Sequence, residues 1–252
     1  MSASSPLDPA LVTRAAAWVS DASRILFVTG AGVSAESGLP TYRGVGGIYN
    51  DRDTEDGIAI EAALSGPVFR RSPEITWKYL LQIEQACRGA APNIAHEILA
   101  RWCDAPRPRA EIWVLTQNVD GLHRAAGSMN LIEIHGDLHR LQCTRCTWRT
   151  RVDDYTGLSS LPTCPKCGAL IRPQVVLFEE MLPDDETREL SRQISRGFDL
   201  VCSLGTSSQF PYIVQPVIMA KQQGVPTVEI NPQETVISSL AVSYTHLRAH
   251  ET

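Results

Sequence analysis

Four short apolar runs constrain this chain most: residues 25–29, 112–116, 200–204 and 227–230. Runs of this length without polar alternation read as strands covered on both faces, as in a parallel sheet. Each ends in small or polar residues. Gly30-Ala-Gly32 follows the first, Gln117-Asn118 the second, Gly205-Thr206-Ser207 the third and Asn231-Pro232 the fourth. Helical spacing lies between them, clearest in residues 8–23, where Leu11, Val12, Ala15, Ala16 and Val19 share a face, Asp8 stands at the N-cap and Pro9 opens the helix. The pattern is that of an open α/β sheet, in which ligands bind at the carboxyl edge of the strands.

Two stretches break the rhythm. Residues 44–92 read as a helical insertion, with a solvated charge run at 51–56 and a helix over 75–87; residues 137–172 read as a second, cysteine-bearing insertion. The expected organisation is a discontinuous Rossmann-like domain (8–43, 93–136 and 173–240) carrying the 44–92 insertion and a small zinc-binding module at 137–172. The tail, residues 242–252, has no partner in the preceding pattern and back-translates to a transposase-type sequencing adaptor. It is read as foreign, with the native chain interrupted shortly after Leu240.

Within the second insertion stand Cys143-x2-Cys146 and, seventeen residues on, Cys164-x2-Cys167. Two such knuckles can set four thiolates tetrahedrally around zinc. A closed four-sulfur shell leaves no site for water, so the expected metal is one structural Zn2+. Cys87, Cys103 and Cys202 sit in apolar contexts and are expected to be small buried residues. An odd total of seven cysteines in 252 residues speaks for a reducing compartment rather than a disulfide framework. The net charge of −5 and pI near 5.7 give no bulk attraction to nucleic acid or an anionic membrane. No run reaches the roughly 20 apolar residues of a membrane span, and no secretory signal opens the chain. A cytoplasmic protein is expected.

The glycine loop at 30–32 would let backbone approach a pyrophosphate. Yet Ala35 stands at the third fingerprint position, and the acidic ribose ligand about 20 residues on is missing, so a common dehydrogenase fits poorly. His135-Gly136, at a strand end, is placed for general base work. By spacing alone His123 and His139 are equal candidates.

The ordered set resolves the ambiguity. Gly30-Ala-Gly-Val-Ser-Ala-Glu-Ser-Gly-Leu-Pro-Thr-Tyr-Arg43, Thr116-Gln-Asn-Val-Asp-Gly-Leu-His123, Ile134-His-Gly136, the cysteine pairs, Arg172-Pro-Gln-Val-Val-Leu-Phe178, Gly205-Thr-Ser207 and Ile230-Asn231 closely resemble the sirtuins, in the bacterial type of NAD-dependent protein deacylase. The resemblance covers about residues 24–240. It implies that Gly30, Ala31, Gly32 and Ser34 line the pyrophosphate and nicotinamide-ribose side of an NAD site. Tyr42, in place of the family's phenylalanine, would cover the ribose, and Arg43 would hold the mobile loop and phosphates. Asp120 would orient the carboxamide and Asn118 the ribose, beside Gln117; Gly205, Thr206, Ser207 and Asn231 fall on the adenosine side, and His135 matches the base. NAD is then a consumed co-substrate. The acyl-lysine oxygen attacks the anomeric carbon as nicotinamide leaves, and His135 deprotonates a ribose hydroxyl that takes over the acyl group. The implied partner is an acyl-lysine protein bound as an extended strand between 175–178 and the loop after Gly205, with Val176 and Phe178 walling the acyl tunnel.

Three departures stand out. Glu179 replaces the family's glycine after Phe178. Leu80 and Ile83 stand where acid-selective sirtuins carry tyrosine and arginine, which favours neutral acyl groups. The foreign tail replaces a last segment that helps enclose adenine. Two other readings share these residues: an ADP-ribosyltransferase, and a catalytically dead, zinc-stabilised NAD-binding module.

Overall fold

The computed structural model describes residues 8–41, 54–104, 110–241 and 243–245. Its strands are β1 (Arg24–Thr29), β2 (Glu111–Thr116), β3 (Leu131–Glu133), β4 (Gly136–Cys143), β5 (Arg149–Arg151), β6 (Ile171–Val175), β7 (Leu200–Leu204), β8 (Thr227–Ile230) and β9 (Ser243–Thr245). The four apolar runs thus form the centre of a six-stranded sheet, ordered β3-β2-β1-β7-β8-β9 and parallel throughout. Their lack of polar alternation follows from two cores. Leu26, Val28, Leu115 and Val201 pack on one face with Leu190, Ile213 and Val217. Ile25, Phe27, Ile112, Val114, Leu200 and Cys202 pack on the other with Ala22 and Leu99. The first helix, Pro9–Asp21, begins as its sequence predicts, with the Asp8 carboxylate accepting from Ala10 N at 2.8 Å. Among the described residues no helix is long and apolar enough to cross a membrane.

Chain order reverses between β1 and β7, which sets a crevice at their carboxyl ends. Beside it, β5-β4-β6 form a small antiparallel sheet. The two insertions share one core. Trp77, Leu80 and Tyr79 of helix Pro73–Cys87 pack with Leu138, Leu141, Ile171, Cys143 and Cys164. Trp77 donates its indole N–H to Ile171 O at 3.1 Å, and Tyr155 donates to Leu138 O at 2.6 Å, so neither aromatic buries an unmet polar atom.

The charge run is solvated as expected where it is described: Glu55 and Asp56 are exposed, and Asp56 also accepts from the Tyr79 hydroxyl at 2.6 Å and Lys78 at 3.0 Å; residues 51–53 fall outside the described residues. Two expectations need correction. Of the three isolated cysteines only Cys202 is buried, whereas Cys87 and Cys103 are half-buried. The tail also finds a partner, since Ser243–Thr245 extends the sheet in parallel beside β8. Backbone pairing at a sheet edge depends little on side-chain identity, so a stretch of any origin can add there.

Candidate active site

Four loops meet at the crevice. Gly32 N donates to Gly205 O at 2.8 Å, and Gly30 N to Leu204 O at 3.2 Å. A Cβ on Gly32 would stand 2.7 Å from Gly205 Cα, and one on Gly30 2.7 Å from Thr206 Cβ. These glycines are therefore needed for contact between the loops after β1 and β7.

A polar network spans the same crevice. Asn118 Nδ2 donates to Gly30 O and Ser34 Oγ, both at 3.0 Å; Ser34 donates to Asp120 Oδ2 at 2.7 Å; Asp120 Oδ1 accepts from Leu122 N at 2.9 Å. The Gln117 amide donates to Thr206 Oγ1, and Asn231 Nδ2 donates to Thr206 O at 2.7 Å. Gly30, Gly32, Ser34, Gln117, Asn118, Asp120, Gly205, Thr206 and Asn231 are thus gathered in one place. Ala31 is half-buried in the first loop and Ser207 is exposed in the third. Tyr42 and Arg43 lie outside the described residues.

The three histidines separate sharply. His123 is 2 % exposed, bonded through Nε2 to Thr29 Oγ1 at 2.9 Å and edge-on to His96 at 4.7 Å. Burial, helped by His96, pushes its imidazole down to about 3. His139 leans on the buried Asp137 at 3.3 Å. That carboxylate is held well below its usual range, because hydrogen bonds from His139 and Arg140 and the charge of Arg151 outweigh the burial that would raise it. His135 alone sits at the crevice, where Gly136 turns the chain into β4. Gly136 has φ +86°, and a Cβ there would collide with Gln174 O at 1.7 Å. His135 Nδ1 is 3.0 Å from Gln117 O. A carbonyl only accepts, so in the neutral ring Nδ1 carries the proton and Nε2 the lone pair. Burial holds this imidazole below its ordinary value, against the Gln117 carbonyl, which favours the protonated ring.

Sequence reasoning missed Tyr212, whose hydroxyl lies 2.6 Å from His135 Nε2, and Phe210, stacked on Tyr212 at 5.4 Å. No motif marks either residue. Their only signal is position in the loop after Gly205-Thr-Ser.

Val176 and Phe178 are half-buried, and the backbone amides of this segment have partners within the chain. Val176 N donates to His135 O, Phe178 N to Leu64 O and Leu177 N to Glu180 Oε2, at 2.9, 2.9 and 3.0 Å. These three amides are thus taken by His135, by the insertion and by Glu180. Glu180 also pairs with the two terminal nitrogens of Arg172, at 2.6 and 2.9 Å. Its neighbour Glu179 is exposed and adopts φ +62°, a region where a side chain costs about 1 kcal/mol. Glu179→Gly is expected to raise the thermal midpoint by roughly 2–3 °C, the shift a kcal/mol gives a chain of this size. An unchanged or lower midpoint would show that the side chain compensates its strain. Leu80 is 2 % exposed inside the shared core, and Ile83 packs half-buried against it.

The four knuckle cysteines come together with all four sulfurs within 4.8 Å of one another. Cys143 and Cys167 sulfurs are 3.4 Å apart, and Cys146 and Cys164 sulfurs 3.7 Å. Zn–S bonds of about 2.3 Å in a tetrahedron require edges of about 3.8 Å, so the spacing fits one zinc. Backbone N–H groups of Arg145 and Cys146 both point at Cys143 Sγ, at 3.3 Å, as a thiolate needs. The cluster offers only sulfur and lies in the insertion core, which suits a structural metal.

Comparison with known proteins agrees with this geometry. The Sir2 family profile matches residues 30–211. The chain is 51 % identical over 225 residues to NAD-dependent protein deacylase 2 of Pseudomonas syringae pv. tomato, covering 88 % of this chain and 89 % of that one. It is 38 % identical over 228 residues to NAD-dependent protein deacylase 1 of Archaeoglobus fulgidus, covering 88 % and 87 %. Among solved structures, a Sir2 homologue–NAD complex superposes with a TM-score of 0.80 at 34 % identity, covering 97 % of this chain and 90 % of the other. A Sir2 variant holding a deacetylated p53 peptide and 3′-O-acetyl ADP-ribose superposes with a TM-score of 0.82 at 28 % identity, covering 94 % and 93 %. By sequence, by fold and by the order of its crevice residues, the chain belongs to the Sir2 family.

Proposed function

We propose that this protein is an NAD-dependent protein-lysine deacylase, acting on acetyl and other short neutral acyl groups. The observation that carries the reading is His135, a neutral imidazole with its lone pair on Nε2, beside the four-loop polar crevice at the β1/β7 switch point. Gly30, Ala31, Gly32 and Ser34 take the pyrophosphate and nicotinamide ribose; Gln117, Asn118 and Asp120 take the nicotinamide end; Gly205, Thr206, Ser207 and Asn231 take adenosine. The Ser34–Asp120–Asn118 bonds pre-set these side chains, so little ordering remains to be done on binding. The acyl-lysine oxygen displaces nicotinamide at the anomeric carbon. His135 then accepts the proton of a ribose hydroxyl, which attacks the former acyl carbon. Water completes the balance, giving free lysine, nicotinamide and O-acyl-ADP-ribose. The protein substrate enters as an extended strand beside the loop after Gly205, with the side chains of Val176 and Phe178 against the acyl group. Free thiols and the zinc cluster suit the reducing cytoplasm.

Mass spectrometry of an acetyl-lysine peptide incubated with NAD tests the reading. Deacetylated peptide and O-acetyl-ADP-ribose in equal amounts are expected. Free ADP-ribose or ADP-ribosylated protein without acyl transfer would assign the site to ADP-ribosyl transfer instead. The acyl preference is tested by a paired series. Leu80 and Ile83 bring no cation, and Arg172, the buried guanidinium of this region, is already matched by Glu180. A buried succinyl carboxylate would be unpaired, so acetyl should exceed succinyl by about a hundredfold or more in kcat/KM. Comparable values would mean that another cation reaches the tunnel.

A further inference from the structure

The bond between Tyr212 and His135 has a consequence for the reaction. Two contacts hold the imidazole, and they are not equivalent. Nδ1–H to Gln117 O fixes the tautomer and the ring plane, and the edge-on rings of Phe210 at 5.6 Å and Tyr212 at 5.8 Å hold it from the side. The Tyr212 hydroxyl makes the second contact, at 2.6 Å. It fills Nε2, the one atom the reaction needs free. Burial raises this hydroxyl to about 12, so it keeps its proton and donates it.

We infer that Tyr212 is a cap on the base: its hydroxyl occupies the Nε2 lone pair of His135 in the resting protein, and a ribose hydroxyl must displace it before proton transfer. The inference rests on the deacylase reading above. Tyr212 acts through His135 and is a positioning residue, with no part in the bonds that form or break. Its backbone lies in the first turn of helix Pro211–Gln222, where Ile213 N and Val214 N both donate to Phe210 O, at 2.9 and 3.1 Å. Uncapping is therefore a rotation of the half-buried side chain, with the turn left in place. The same loop begins at Gly205-Thr206, whose hydroxyl holds Gln117 and Ser208 N. The cap and the residues assigned to the nucleotide thus share one short segment. Because kcat/KM runs from free enzyme to transition state, it carries the cost of breaking the cap whenever the break occurs.

Tyr212→Phe removes the hydroxyl and keeps the ring. Two measurements judge it. Diethyl pyrocarbonate, which acylates a free imidazole lone pair, should modify His135 faster in the variant than in the wild type, mapped by peptide mass spectrometry on the ligand-free proteins. Deacetylation kcat/KM should rise roughly two- to tenfold, the net worth of one neutral hydrogen bond. A variant merely damaged in structure would not become faster. Equal modification rates would overturn the cap. Faster modification with lower kcat/KM would overturn it too, by making the hydroxyl a proton carrier. Should the wild type deacylate no peptide, the functional reading falls, and the modification rates alone still decide whether Tyr212 covers the base.

Discussion

Stripping the metal with a strong chelator, or replacing Cys143 by Ser, should unfold the joined insertions and abolish activity, although the bonds that hold the four knuckle sulfurs are to one another and to the backbone of Arg145 and Cys146. Cys143 and Cys164 are part of the core that buries Trp77, Leu80, Tyr155 and Ile171. Complete burial of a tryptophan withdraws on the order of 200 Å2 from water, worth about 5 kcal/mol, and here that burial depends on the sulfur cluster staying closed. Structural zinc contributes roughly 10–16 kcal/mol in small domains, comparable with the whole stability of a typical fold. Damage then reaches the chemistry through β4 and β6. Gly136 pairs with Val175, and Val176 N holds His135 O, so the strand that follows His135 is tied to the module that carries the cysteine cluster. One zinc per chain is expected, with a red shift of Trp77 emission on chelation. A metal-free protein that kept its melting temperature and its buried tryptophan would refute the assignment.

The two halves of the structure were unequally legible in the sequence. Strands β1, β2, β7 and β8 could be read because burial on both faces writes itself as an unbroken apolar run. The zinc ligands could be read because four tetrahedral sulfurs need a fixed local spacing. Union of the two insertions in one core could not, since Trp77 meets Ile171 across 94 positions and no local pattern encodes such a contact. The same limit hid Tyr212, which meets His135 across 77 positions. His135, His123 and His139 look alike by composition; what separates them is depth, with His123 sealed against Thr29 and His139 held by Asp137. Ordered motifs made the choice that spacing could not. The loop contact of Gly30 and Gly32 was hidden for the same reason, because their Cβ directions point at the loop after β7, which lies 173 or more residues away in the chain.

His135→Ala should lower deacylation by roughly a hundred- to ten-thousandfold, the usual worth of a general base, while leaving NAD affinity within a few-fold. The imidazole is bonded to Gln117 O and Tyr212, whereas the polar groups assigned to NAD are held by Ser34, Asp120, Asn118 and Thr206 among themselves. Removing the ring therefore deletes the proposed proton acceptor and, of the residues assigned to NAD, releases the Gln117 backbone carbonyl, while the Gln117 side chain keeps its bond to Thr206. Displacement of nicotinamide needs no base, so exchange of labelled nicotinamide into NAD should persist in the variant when acyl-peptide is present. The sign of the pH dependence follows from burial. The ring acts only when neutral, and burial lowers its pKa from the ordinary 6.5, so the acid limb of the wild-type profile should fall below that value, with a plateau above it. His123→Ala is the matched control. That ring is sealed in the core with its Nδ1 unpartnered, so its loss opens a cavity and lowers the melting temperature, with a far smaller effect on turnover. Wild-type turnover in the His135 variant, or an acid limb well above 6.5, would remove His135 from the chemistry.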